Sequence, residues 1–297
     1  MLRTPLEEVV IFQGIFDPHA KQLQRIIHCL VKAGRTGYML ISPSGITMAQ
    51  KPTAGSSAKN LTSWSHFQFP LLGLRDVIVR ENTRIALEMQ LSILWNLLRA
   101  ISSHSLALLQ LLSSGVLRLR SKANCGSSSD LTSSKEGVTL HELPIVMLQS
   151  SELDILSEPT VSRPVLSFHL PTPNVLRSKF LTLTTPRLQV SVNPQGTLIF
   201  HADDALIKTM LKFSGVRIVN SLCEDRLRLV GVTVDRTLLA KALTHAFVFP
   251  PGLFSTVCAV IPNEALIISV SLLDFSPAGI TTQQNGNIMT FYIHACA

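Results

Sequence analysis

Charge is scarce in this sequence: Asp, Glu, Lys and Arg make up 15% of the 297 residues, and aromatic side chains only 6%. With 46% hydrophobic residues and a mean hydropathy of +0.33, the composition excludes a disordered chain. It predicts a packed core with apolar surface left over for partners. The five cysteines, Cys29, Cys125, Cys223, Cys258 and Cys296, form no C-x-x-C pair. Odd in number and scattered, they suggest neither a disulfide framework nor a zinc site, and they fit a reducing compartment. No clean apolar run of about 18 residues occurs. The longest apolar stretch, 91–117, is interrupted by Arg99, Ser102, Ser103, His104 and Gln110 and reads as a core helix followed by a core strand. Glu7 and Glu8 precede Val9 and break any signal-peptide core, so secretion is not expected.

Catalytic signatures are missing too: there is no G-x-S-x-G elbow, no phosphate loop, no H-E-x-x-H and no G-x-G-x-x-G after a strand. His141 with Glu142, or His201 with Asp203 and Asp204, could be drawn as acid–base or metal sites. Neither shows a third ligand at a familiar spacing. No catalytic residue, metal or cofactor is expected from the residues themselves.

What is present is pattern. Residues 9–13 alternate as a strand, and Leu23, Ile26, Ile27, Leu30 and Val31 then recur at helical spacing between Asp17-Pro18 and Gly34. Two short strands, 38–42 and 46–49, flank the turn Pro43-Ser44-Gly45. The order recurs. Residues 84–89 form a strand before the helix face Leu91, Leu94, Leu97, Leu98 and Ile101, and strands follow at 116–120 and 138–148. Next come a strand at 165–170, a weak helix at 172–181, and a hairpin of 188–193 with 197–202 around Pro194-Gln195-Gly196. A strand at 229–234, the helix face Leu238, Leu239, Ala242, Leu243 and Ala246, and strands at 256–261, 265–272 and 289–294 complete the chain. Segments 51–63 and 122–137 read as surface loops, and 204–227 carries no assignable strand. Few helices among many strands predict an α+β fold of antiparallel sheets, with two similar domains at 1–148 and 165–297 and a connector at 149–164.

Lysine and arginine exceed the acids by 26 to 19, a net charge of +7. On the first helix Lys21, Arg25, His28 and Lys32 fall at i, i+4, i+7 and i+11, opposite Ile26, Ile27 and Leu30, with no acid among them. Arg99 on the second helix, Arg177 and Lys179 on the third, and Arg236, Lys241 and His245 on the fourth add to the set. A solvated helix face ordinarily mixes signs, so a single-sign set on four helices points to phosphate contact. No aromatic residue interleaves with these cations along the chain, which favours a duplex backbone over a single strand.

Four units, each with a basic helix over antiparallel strands and joined in pairs by a connector, resemble a sliding-clamp subunit of the PCNA type. Within that group the sequence is similar to the Hus-one subunit of the checkpoint clamp, the nine-one-one complex. Leu40-Ile41-Ser42-Pro43-Ser44-Gly45 is similar to the family's L-R-I-S-P-D. Leu140-His141-Glu142-Leu143-Pro144-Ile145 is similar to T-H-D-I-P-I, and Ser167-Phe168-His169-Leu170-Pro171 to S-I-Y-L-P. Glu81-Asn82-Thr83-Arg84-Ile85-Ala86-Leu87-Glu88 is a further match, and all come in the family's order.

The resemblance implies a PCNA-like fold of two similar domains, antiparallel sheets outside and four helices lining one face. It implies a non-catalytic subunit of a heterotrimeric ring with two paralogous subunits of the Rad-nine and Rad-one types. A clamp loader would place the ring on double-stranded DNA in the nucleus to support checkpoint signalling and repair. Lys21, Arg25, His28, Lys32, Arg99, Arg177, Lys179, Arg236 and Lys241 would face DNA. Leu153, Ile155 and Leu156 would border a groove for short peptides of repair proteins. The alternatives are a homotrimeric replicative clamp and an unrecognised α+β hydrolase.

Overall fold

Strict alternation makes the first element a half-buried strand: in β1 (Val10–Phe16) Phe12, Gly14 and Phe16 point inward and their neighbours outward. The structure is a computed structural model describing residues 9–17, 21–50, 61–69, 74–80, 84–101, 106–122, 138–149, 153, 156–171, 173–203, 207–249, 254–272, 274–276, 279–281 and 287–296. Most of the loop expected at 51–63 and of that at 122–137 lies outside these residues, as do Glu81, Asn82, Thr83, Asp204 and Ile155. The chain divides into two compact units, Met1–Ala49 with His66–Ser157, and Gln50–Ser65 with Glu158–Ala297.

In chain order the first half gives β1, α1 (Lys21–Ala33), β2 (Thr36–Ser42), β3 (Gly45–Gln50), β4 (Leu61–Phe67), β5 (Leu74–Val79) and β6 (Ile85–Gln90). It continues with α2 (Leu91–Ala100), β7 (Ala107–Leu112), β8 (Val116–Lys122), β9 (Val138–Pro144) and β10 (Val146–Met147). The second half gives β11 (Leu166–His169), α3 (Pro173–Leu181), β12 (Arg187–Val192), β13 (Leu198–Asp203), β14 (Lys208–Phe213), β15 (Ile218–Ser221) and β16 (Val230–Asp235). Then come α4 (Arg236–Ala246), β17 (Phe254–Ile261), β18 (Ala265–Leu272), the small pair β19 (Asp274–Ser276) and β20 (Gly279–Thr281), and β21 (Asn287–His294). The strand pairings whose register is described are antiparallel.

The repeat seen as a pattern in the sequence is a repeat of topology. One sheet of the first unit runs β5-β1-β7-β8-β9, and the second unit repeats it as β15-β11-β17-β18-β21. The other sheet runs β6-β2-β3 in the first unit, with β10 beside β6, and β16-β12-β13-β14 in the second. The two hairpins use the same device. Gly45, with φ of 153°, closes β2–β3 where a Cβ would run into the carbonyl oxygen of Phe67. Gly196, with φ of 81°, follows the corresponding strand β12 where a Cβ would meet the carbonyl oxygen of Val216. Any side chain at either position is strained and blocked at once.

Two expectations are corrected. Residues 61–63 belong to a strand, with Thr62 and Ser63 buried. β4 pairs with β21 in the register Trp64↔Thr290 to Leu61↔Ile293, so this stretch is core sheet rather than surface loop. The unassigned 204–227 contains β14 and β15, paired to β13 and β11.

The helices form where the spacing placed them. In α1, Leu23, Ile26, Ile27 and Leu30 are buried on one face, each contributing about 1.5–3 kcal/mol by leaving water. α4 starts at Asp235, whose carboxylate accepts from the backbone N–H of Thr237 at 2.7 Å and of Leu238 at 3.0 Å. α2 lacks such a side-chain cap, and its first N–H, of Leu91, donates instead to the Arg35 carbonyl at 3.0 Å. α3 opens on Pro173, which suits a first helical position because its missing N–H would have had no partner there. Among the described residues no helix is long and apolar enough to cross a membrane.

Candidate nucleic-acid interface

The basic stripe on α1 follows from its buried face: with Ile26, Ile27 and Leu30 inside, Arg25 and His28 are left half-buried and Lys32 exposed. Lys21 opens the helix, and its side chain lies outside the described residues. α2 packs beside α1 in the same unit. Gln24 Nε2 donates to the Leu98 carbonyl at 3.2 Å, and the His28 imidazole stacks on the Trp95 indole. This packing brings Arg99, which is exposed, to the side of α1 that carries Lys32. Burial, then Lys32, then Arg99 hold the His28 pKa below its ordinary value, so both cations act on one imidazole. Arg25, His28, Lys32 and Arg99 are therefore assembled into one patch.

The second unit treats its cations unequally. Among the described side chains of α3, Leu176 and Phe180 are buried, which leaves Lys179 exposed and Arg177 half-buried with its Nε shut away from solvent. Lys241 on α4 is exposed. Arg236 does other work: its Nη1 donates to the Phe180 carbonyl at 2.9 Å, satisfying a carbonyl at the last turn of α3 and tying α4 to it. His245 is buried, with its ring against Phe291 at 5.9 Å between centroids, and belongs to the core rather than to the charged face. The cause is helical phase, since His245 falls beside Leu238, Leu239, Ala242 and Ala246 on the inward side.

The connector residues turn inward as well. Leu156 is 3% exposed and Leu153 half-buried, so neither side chain offers an open groove wall. Further along, Glu158 Oε1 accepts from the Tyr292 hydroxyl at 2.5 Å and Glu264 Oε1 accepts from the Ser162 N–H at 2.9 Å. The Glu264 carboxyl is held below the usual range by its bonds from Ser162. Between these two anchors Val161 packs on Ile261, Ala265, Ile267 and Tyr292, beside Trp64.

The acid–base pairs drawn from the sequence have structural partners. Glu142 accepts from Arg118 Nε at 2.8 Å across the β8–β9 ladder, where the two residues face each other. Asp203 pairs with Lys208 at 3.5 Å across β13–β14. Among the described residues no group of three or more His, Cys, Asp or Glu could hold a metal ion. A cavity of about 680 Å³ in the second unit is lined by Val165, Leu222, Cys223, Glu224, Arg228 and Pro262 among others, and its walls include neither serine nor histidine.

Comparison with known proteins agrees with this architecture. The chain matches the family described as Hus1-like protein over residues 14–297. Direct comparison with curated proteins gives no match. Among solved structures it is similar to proliferating cellular nuclear antigen from Entamoeba histolytica, with 11% identity and a TM-score of 0.69 over 97% of this chain and 100% of that one. It is also similar to PCNA from Thermococcus kodakaraensis, with 13% identity and a TM-score of 0.66 over 96% of this chain and 100% of that one. At such identities these neighbours speak to the fold, which is PCNA-like: α+β, with antiparallel sheets and four helices. Clamps of this kind are in general non-catalytic scaffolds that work with partner clamp subunits and on DNA. The chain belongs to the Hus1-like protein family and is a checkpoint-clamp subunit of the PCNA-like superfamily.

Proposed function

We propose that this subunit acts without catalysis of its own, as one third of a heterotrimeric nuclear ring with paralogous subunits of the Rad-nine and Rad-one types. A clamp loader places the ring on double-stranded DNA, where it supports checkpoint signalling and repair. One observation carries the assembly. In chain order β4 corresponds to β14 and β21 to β9, and β4 and β21 are hydrogen-bonded to each other. Their counterparts β14 and β9 are edge strands, each with one side unpaired among the described residues. Such edges expose rows of N–H and C=O groups that another chain can satisfy. Pairing β14 of this subunit with the β9-like strand of one neighbour, and β9 with the β14-like strand of the other, repeats the β4–β21 junction and closes a ring. Exposed apolar side chains at these edges, Leu140 at 50%, Met210 at 62% and Ile207 at 66%, fit surfaces that assembly covers.

On this reading the cations of α1 and α2, with Lys179 and Lys241, track phosphates loosely. A ring that encircles DNA needs no tight grip, so the isolated chain binds DNA weakly and with steep salt dependence. Domains at 1–148 and 165–297 joined by 149–164 remain our division of the ring's repeating parts. Repair-protein peptides would dock along the connector without using Leu153 or Leu156 as groove walls, since both side chains turn inward.

Native mass of the purified chain, with and without its two partner subunits co-expressed, tests the assembly. A one-to-one-to-one trimer that forms only with both partners is the expected result. A homotrimer would move the chain to the replicative class and contradict the heterotrimer.

A further inference from the structure

The His28 and Trp95 rings lie 4.6 Å apart between centroids and 9° from parallel, a stacked pair to which each helix contributes one ring. Both residues are half-buried, on the side of the α1–α2 seam away from the buried leucines and isoleucines. Arg25 and Lys32 stand one turn before and one turn after His28, and Arg99 one turn after Trp95. Two parallel aromatic rings are thus set among three cations on a surface with no acid on either helix.

A duplex backbone asks only for the cations, because its bases are stacked internally and its outer surface is phosphate and sugar. Aromatic faces within a cationic surface are what unpaired bases require, since every base has a face that stacks. Burial and the two neighbouring cations favour the neutral imidazole, so at neutral pH His28 supplies aromatic surface instead of a further charge.

We propose that the His28–Trp95 pair is a stacking platform for an unpaired base, giving the α1–α2 face a contact for single-stranded DNA in addition to its contacts with duplex phosphates. The inference rests on the reading of this face as DNA-facing, and negative charge on the strand is the complement of Arg25, Lys32 and Arg99.

The full-length chain would be titrated at low salt with a twelve-residue oligothymidine and, separately, with a twelve-base-pair duplex. Binding would be followed by anisotropy of the labelled DNA and by tryptophan emission. Oligothymidine should quench the emission component that Trp95→Leu removes. Trp95→Leu should weaken oligothymidine binding by about tenfold and leave duplex binding within about twofold, while Trp95→Phe should restore most of the loss. Lys32→Glu should weaken both DNAs. Equal losses on both DNAs in Trp95→Leu would assign Trp95 to packing alone and overturn the platform. Unchanged oligothymidine binding in Trp95→Leu, with Lys32→Glu still weakening the duplex, would overturn it while sparing the DNA-facing reading. If the wild-type chain binds neither DNA, that reading fails and the platform fails with it.

Discussion

Leu140→Asp on β9 and Met210→Asp on β14 should each break one of the two junctions this subunit makes, opening the ring and abolishing its pairwise complex with one partner, a different partner in the two variants. Both side chains stand largely in solvent on edge strands, so a carboxylate at either site leaves the folded chain within about 0.5 kcal/mol of wild type. In the assembled ring the same carboxylate is pressed against a neighbouring strand without a partner, at a cost of about 2 kcal/mol or more. That is at least about thirtyfold in the affinity of the affected junction. Native mass of each variant co-expressed with one partner at a time reads the outcome, and thermal denaturation checks the fold. Pairwise complexes with both partners from both variants, or loss of the same partner in both, would show that β9 and β14 are not the two closing edges.

Reversing Arg25, Lys32 and Arg99 together to Glu should remove about three phosphate contacts from the assembled clamp. The slope of log affinity against log salt for duplex DNA should then fall in steepness by about 2.7, at roughly 0.9 per contact. At low salt the loss should exceed about a hundredfold, because each position changes from attraction to repulsion. Arg226→Glu, in the exposed turn between β15 and β16, serves as a charge-reversal control away from this face that should leave the slope unchanged. A triple variant with wild-type slope and wild-type loading would remove the α1–α2 face from the DNA contact altogether.

The parts of this fold that the sequence reveals are those with one buried face. α1 is legible because Leu23, Ile26, Ile27 and Leu30 repeat at helical spacing, and β12, β13 and β16 because every second residue goes inside. β5 and β14 escape because they are edges. β14 buries none of its six residues fully and carries Lys208 and Lys212, while β5 places Arg75 and Asp76 beside its single buried leucine. Without a covered face there is no period to read. β4 was hidden in another way, behind a serine- and glycine-rich run whose composition spreads a loop reading over Leu61, Thr62 and Ser63.

The same division applies to the candidate site. The cations of α1 could be read as a stripe, since helical spacing alone places them. Trp95 could not be placed among them, because its neighbour His28 lies on a different helix and only the packing of α1 against α2 joins the two. Arg236 shows the converse. Its spacing on α4 marks it as a surface cation, whereas its guanidinium is engaged by a carbonyl at the end of α3, a contact set entirely by tertiary packing.

Topological retention tests the central claim most directly. The trimer assembled with both partners would be loaded onto nicked circular DNA, the salt raised until phosphate contacts are screened, and the retained protein measured before and after the circle is cut. A ring held by closure of β9 and β14 edges stays on the circle at high salt and is released when the DNA becomes linear. Release at high salt from the intact circle, or retention that cutting does not change, would contradict an encircling clamp.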